Sequence, residues 1–256
     1  MLSGLGRLGL EVKDLAAARS FYEDRLGLVP ADISPDSEVH YDVGFDAGDS
    51  AGADAVETPP GTRLVLRRPM GRPRGGVHTH YAFSTSRAAY PRWRSRLADL
   101  DPVEFSFGST TSLYVYDPAG NCVEIGGFHD SLDGDTSGEA NDAPPLSGLF
   151  EVVLEVTDLS RAEDRYRRLG FETVDHGEDR RRVRLSGPVD LELWEPQLGI
   201  ADGRGGLHVD LLFRTADPDA VVEAGQPWAA GPTAVDGGLR VVDDDGHVLT
   251  FCDSRS

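Results

Sequence analysis

The stretch Leu8-Gly-Leu-Glu-Val-Lys-Asp14-Leu15, followed by Ala18, Phe21-Tyr22 and Arg25-Leu26-Gly27-Leu28, has a counterpart later in the chain. There it reads Val152-Val-Leu-Glu-Val-Thr-Asp158-Leu159, then Ala162, Tyr166 and Arg168-Leu169-Gly170-Phe171. Each copy predicts a strand, an Asp at a helix N-cap, a short helix and a Gly that ends it. The Asp carboxylate accepts from free N–H groups of the first turn, and the Gly takes the left-handed conformation past the last. Repetition at this spacing is the signal that decides the fold.

Two further pairs extend the repeat. Gly75-Gly-Val-His78-Thr-His80-Tyr-Ala-Phe83 aligns with Gly205-Gly-Leu-His208-Val-Asp210-Leu-Leu-Phe213, and each precedes a helical stretch, near residues 86–100 and 217–225. Pro91 falls in the first turn of the former or kinks it. Leu113-Tyr-Val-Tyr-Asp117-Pro-Ala-Gly120-Asn-Cys-Val-Glu124-Ile matches Leu239-Arg-Val-Val-Asp243-Asp-Asp-Gly246-His-Val-Leu-Thr250-Phe. Both read as hairpins around an Asp-x-x-Gly turn. The chain therefore divides into four strand–helix–strands units, two in each half. The predicted class is α+β, with tandem βαβββ modules forming two curved half-barrels. The expected domains are residues 1–128 and 148–256. Residues 129–147 form an acidic, Gly-, Ser- and Pro-rich linker between them. Residues 46–60 read as a surface loop. One module exposes an apolar sheet face, and two side by side enclose a concavity suited to a small molecule.

Composition narrows the function. The 256 residues carry a net charge of −19, and Lys13 is the only lysine. Such a surface repels nucleic acid and anionic lipid. The acidity is read as salt adaptation, since carboxylates hold water and salt screens their repulsion. No apolar run approaches a membrane span and no secretory leader opens the chain, so a cytoplasmic protein is expected. Cys122 and Cys252 form no cysteine framework and read as small buried hydrophobes.

The Asp-Leu-x-x-Ala-x-x-Phe-Tyr-x-x-x-Leu-Gly element at 14–27 and the closing hairpin at 113–125, with His80 between, resemble the vicinal-oxygen-chelate superfamily of glyoxalases, bleomycin resistance proteins and extradiol dioxygenases. The two-domain length is similar to the catechol 2,3-dioxygenase-like branch. The resemblance implies a divalent metal, Fe2+ or Mn2+ in ring-cleaving members, and a small-molecule substrate with vicinal oxygens. It also implies a ligand from the first strand, a His from the strand opening the second unit and a Glu from the last strand. On this chain those positions are Arg7, His80 and Glu124. Arginine offers no lone pair to a metal. The equivalent positions of the second half are Glu151, Asp210 and Thr250.

Strand periodicity places Arg7, Gly9 and Glu11 on one face, His78 and His80 on one face, and Cys122 and Glu124 on one face. Two readings stay open. In one, His80 and Glu124 hold a metal, with His78, Glu11 and Tyr114 as catalytic or additional groups. In the other, Arg7 forms an ion pair with Glu124 and the cavity holds no metal. A second-half site of Glu151, His208 and Asp210 is the weaker possibility. Tyr81, Tyr114 and Tyr116 line the pocket or pack across strands. His40, His129, His176 and His247, and the run Arg180-Arg181-Arg182 with Arg184, read as solvated surface. Three functions compete: a ring-cleaving dioxygenase, a lyase or isomerase of the glyoxalase or epimerase type, and a binding module without catalysis.

Overall fold

The structure, a computed structural model, describes residues 1–34, 37–44, 61–69, 79–108, 110–129, 143–178, 181–196 and 209–253. Four modules follow one another. The first contains β1 (Leu2–Glu11), α1 (Leu15–Ser20), β2 (Pro30–Ser34), β3 (Glu38–Val43) and β4 (Thr62–Arg67). The second contains β5 (His80–Ser86), α2 (Tyr90–Arg96), β6 (Val103–Phe107), β7 (Thr110–Tyr116) and β8 (Cys122–His129). The third contains β9 (Gly148–Glu155), α3 (Leu159–Arg168), β10 (Glu172–His176), β11 (Arg182–Ser186) and β12 (Asp190–Trp194). The fourth contains β13 (Asp210–Thr215), α4 (Pro218–Ala224), β14 (Ala230–Val235), β15 (Gly238–Val242) and β16 (Val248–Asp253). The α+β class and the four-module repeat are as expected from the sequence.

The punctuation works as predicted. Asp14 Oδ1 accepts from the Ala16 and Ala17 N–H groups, and Asp158 from that of Arg161. Gly27 and Gly170 close the two helical segments at φ +71° and +105°. In the hairpins, Asp117 Oδ1 accepts from Ala119 and Asn121, and Asp243 Oδ1 from Asp245 and His247. Pro91 lies in the first turn of α2.

The pairing of modules differs from the expectation that neighbours within each half share a sheet. Two eight-stranded curved sheets form, ordered β14-β15-β16-β13-β1-β4-β3-β2 and β10-β11-β12-β9-β5-β8-β7-β6. Modules one and four build the first sheet, and modules two and three the second. The cause is an open strand edge. In every module the first strand pairs in parallel with the last, which leaves its other edge unsatisfied. Edge β5 takes β9, the next first strand along the chain, and β1 and β13 take each other.

Helix contacts run the other way, within each half. Arg25 donates to Asp99, and Arg96 to the carbonyls of Asp24 and Arg25, joining modules one and two. Arg165 donates to Asp244 and to the carbonyls of Gly225 and Pro227, joining three and four. Tyr22, just past α1, stacks on Tyr41 of the first sheet and reaches Tyr81 and Asp117 of the second. Leu8, Leu10, Leu64, Leu66, Phe83, Ile125, Leu154, Leu191, Phe213 and Phe251 belong to the single apolar core joining both sheets. Burial of such side chains, each stabilising by about 1.5–3 kcal/mol, holds the layers together. The alternate strand positions form the other, polar face of each sheet.

Candidate metal centre

In the second sheet, Ala82 of β5 is in register with Glu124 of β8 on one side and Glu151 of β9 on the other. His80, two positions back on the same face, donates or accepts at Nε2 with Glu124 Oε2 at 2.9 Å. Ligand atoms of His80, Glu124 and Glu151 all lie within 4.8 Å of one another, and all three residues are buried. The small side chain at position 82 leaves room for the two carboxylates to converge.

The pseudo-twofold of the sheet passes between Tyr81 and its partner Val152. It relates His80 to Glu151, and Glu124 to Glu192, which stands opposite Val153 on β12. Glu192 is held in place: Trp194 donates Nε1–H to it at 2.8 Å, and Arg182 lies 3.2 Å away. Burial, and then the charges of Glu192 and Glu124, push the Glu151 carboxyl well above the usual range. Arg184, at 3.6 Å, opposes them only in part, because it also holds Asp190 at 2.8 Å.

Aromatic rings surround the cluster. Tyr114 and Trp194 each meet the His80 ring edge-on, at 5.6 and 5.8 Å between centroids. Phe105 meets Tyr114 at 5.6 Å, and Phe107 lies beyond it. Burial and the hydrogen-bonded carboxylate of Glu124 hold the Tyr114 phenol well above its ordinary pKa, so it remains a donor.

The structure thus brings His80, Glu124 and Tyr114 together and places Arg7 and Glu11 elsewhere. Arg7 does not pair with Glu124; it lies in the first sheet, 3.2 Å from Asp210. Glu11 is in that sheet too, where Arg67 is 3.9 Å from it, so it is no neighbour of His80 on a shared face. Both corrections follow from the module pairing, which puts β1 and β5 in different sheets. The same pairing separates Glu151 from Asp210 and removes a second-half site built on both. His78 and His208 lie outside the described residues.

Other single-residue expectations also change. Tyr81 is buried in the core on the opposite face, while Tyr116 is half exposed. His247 is buried, its Nε2 2.9 Å from the Glu155 carbonyl. Arg182 and Arg184 serve the site carboxylates rather than solvent. Cys122 is buried, but Cys252 is only partly so. Glu192 and Trp194 are site residues that the repeat alone does not single out, although Asp190-Leu-Glu192-Leu-Trp194 closes the third module as Cys122-Val-Glu124-Ile closes the second.

The Glyoxalase/Bleomycin resistance protein/Dioxygenase superfamily description matches residues 4–125. Among curated proteins there is no match. Solved structures share the fold over nearly the whole chain. A "putative dioxygenase" from Bacillus subtilis is 17% identical at TM-score 0.70, covering 100% of this chain and 86% of its own. Glyoxalase I from Zea mays is 17% identical at TM-score 0.62, covering 98% and 92%. The cppA protein from Streptococcus pneumoniae is 12% identical at TM-score 0.55, covering 99% and 100%. Repeat, sheet order and these similarities agree: residues 4–125 match the Glyoxalase/Bleomycin resistance protein/Dioxygenase superfamily, and the whole chain carries the fold of these structures.

Proposed function

We propose that this protein is a metal-dependent lyase or isomerase of the glyoxalase or epimerase type, acting on a small substrate with vicinal oxygens. The donor set of His80, Glu124 and Glu151 carries this reading. Buried carboxylates that repel one another, with only partial guanidinium compensation, fit a divalent cation. One imidazole with two carboxylates suits Mn, Fe or Zn. A bound metal supplies Lewis-acid polarisation of a substrate oxygen.

The protein's own groups divide the remaining work. Glu151, beside His80 and Glu124, is the carboxylate suited to take a proton from substrate carbon and return it. Tyr114, opposite Glu124 in the strand register, keeps its phenol proton and faces that carboxylate as a donor. Trp194 and Arg182 fix Glu192 beside this cluster. The aromatic rings exclude water from one side.

One observation favours a second reading, an extradiol ring-cleaving dioxygenase. The run Phe107, Phe105, Tyr114, His80 and Trp194 offers edges and faces to a flat aromatic ring. Against it stands the donor count, since oxygen-activating Fe(II) sites of this kind use two imidazoles and one carboxylate. Among the described residues the cluster holds one His.

The two readings separate experimentally. Protein loaded with Mn2+, Fe2+ or Zn2+ is offered 2-ketoaldehyde–thiol adducts and 2-acyl thioesters in D2O, and deuterium entry at carbon is followed by NMR. Exchange that is lost in Glu151→Gln is expected. Oxygen uptake with catechols, and no exchange, would overturn the first reading for the second.

A further inference from the structure

We propose that the polar face of the first sheet is a second ligand site, built for a multiply charged oxyanion such as a phosphoryl group. It occupies the place in modules one and four that the metal cluster occupies in two and three. Its pseudo-twofold passes between Leu8 and Leu211 and relates Arg7 to Asp210. Where the second sheet gathers carboxylates, this face gathers guanidinium groups, in a chain whose net charge is −19.

Asp210, 1% exposed, is the centre. Arg7 donates to its Oδ1 at 3.2 Å and Arg67 to its Oδ2 at 2.8 Å. Arg240 stands 4.0 Å from Oδ2 and donates Nε–H to Thr250. Arg214 shares this face four residues along β13. Its charge, with those of Arg7 and Arg240, acts on the Cys252 thiol. Gly9, opposite Asp210, leaves the middle of the face open, because a Cβ there would sit 3.2 Å from that of Asp210.

Four guanidinium groups converge on Asp210, with Glu11 and Glu38 beside Arg67 and Asp236 at the rim. Three of their N–H-bearing nitrogens, Arg7 Nε, Arg67 Nε and Arg214 Nη1, are buried with no acceptor among the described residues. Buried donors without acceptors are costly. Planar guanidinium forks that converge are the chemistry that binds phosphate or carboxylate in bidentate fashion. In this arrangement Asp210 is an internal occupant that an incoming oxyanion displaces or shares.

The test uses inorganic phosphate, with succinate as the dicarboxylate arm, titrated into the full chain at fixed ionic strength by calorimetry. Side-chain Nε–H resonances of arginine are followed by NMR. Phosphate is expected to bind and to shift the Arg7 and Arg67 signals. Arg240→Gln should weaken it by about tenfold, and Asp210→Asn should strengthen it by about as much, since a competing carboxylate is gone. Tighter binding of succinate would identify a carboxylate source of the same chemistry. Because Asp210→Asn and Arg240→Gln could unfold the sheet, circular dichroism checks each, and Arg214→Gln provides an additional, peripheral variant. No titration in folded wild type and folded Asp210→Asn overturns the proposal. So does binding that survives Arg240→Gln and Arg214→Gln but disappears in Glu124→Gln.

Discussion

Glu124 and Glu151 stand on either side of Ala82, one reached through a parallel strand pair and the other through an antiparallel pair. The linker separates them along the chain, yet they belong to one cluster. The carboxylate that lies beside the His80–Glu124 pair comes from the third module, not the first.

Metal affinity should therefore follow Glu151 and ignore Arg7. We expect Glu151→Gln to lower affinity for Mn2+ or Zn2+ by tenfold or more, because a charged ligand is replaced by a neutral one. Arg7→Gln should leave it unchanged within about twofold. Elemental analysis and competition with a chelating dye measure both. Equal losses in the two variants would place the ligands elsewhere.

The cross-pairing also predicts how the chain behaves when cut. A fragment of residues 1–128 retains the helix contacts of Arg25 with Asp99 and of Tyr22 with Asp117. It exposes the free edges of β1 and β5, which the intact chain covers with β13 and β9. Exposed edges pair with other chains. We expect the fragment to self-associate, and to form a 1:1 complex when co-expressed with residues 129–256. Light scattering after size-exclusion chromatography reads both states. A stable monomer of residues 1–128 would contradict the edge argument.

Module identity was legible because caps, glycine stops and hairpin turns are local. Asp14, Gly27, Asp117 and Gly120 each announce their geometry within a few residues of themselves. Which first strands meet is a long-range choice that no local pattern encodes, and for that reason strand periodicity alone does not separate Arg7 and Glu11 from the His80 sheet. The sequence marks Glu151 as a ligand position but groups it with Asp210, whose strand runs in the other sheet. His247 follows a turn and looks solvated, yet it is buried because β9 passes over that turn. Tyr114 was legible as a site residue since strand alternation with Glu124 is a short-range rule.

Two buried phenols give a pH prediction. Tyr22 donates to Asp117 and Tyr166 to Asp243, each at 3.0 Å, in equivalent places of the two halves. Burial, followed by the neighbouring carboxylate, raises both far above the ordinary value of 10.0. A raised folded pKa means that the unfolded chain loses these protons first. Their contribution is intact below about pH 10 and is lost progressively as pH climbs above it. Thermal stability should fall between about pH 10 and 11 with no matching phenolate absorbance from these two tyrosines until unfolding. Tyr166→Phe should cost about 1–3 kcal/mol at neutral pH and flatten that fall. Spectrophotometric titration alongside thermal melts checks it; early ionisation of all tyrosines in folded protein would count against it.

Salt sets two effects against each other. The ion pairs of the sheet faces, such as Arg182 with Asp175 and Arg63 with Asp42, are partly exposed and are worth little, about 0–1 kcal/mol each, so screening them removes little. The net charge of −19 is a sum over the whole surface, and its repulsion acts on the compact state far more than on the unfolded chain. At about 0.15 M salt the screening length is already near 8 Å, so further salt works on the nearer carboxylate pairs. The melting temperature should therefore rise from 0.05 to 1 M NaCl, by several degrees, and should rise equally in KCl (roughly the range over which the Debye length falls several-fold). Replacing exposed acidic residues such as Asp219 and Glu223 with Asn and Gln should reduce the slope. A melting temperature that falls with salt would mean that the guanidinium–carboxylate networks, not the net charge, govern the electrostatics of this fold.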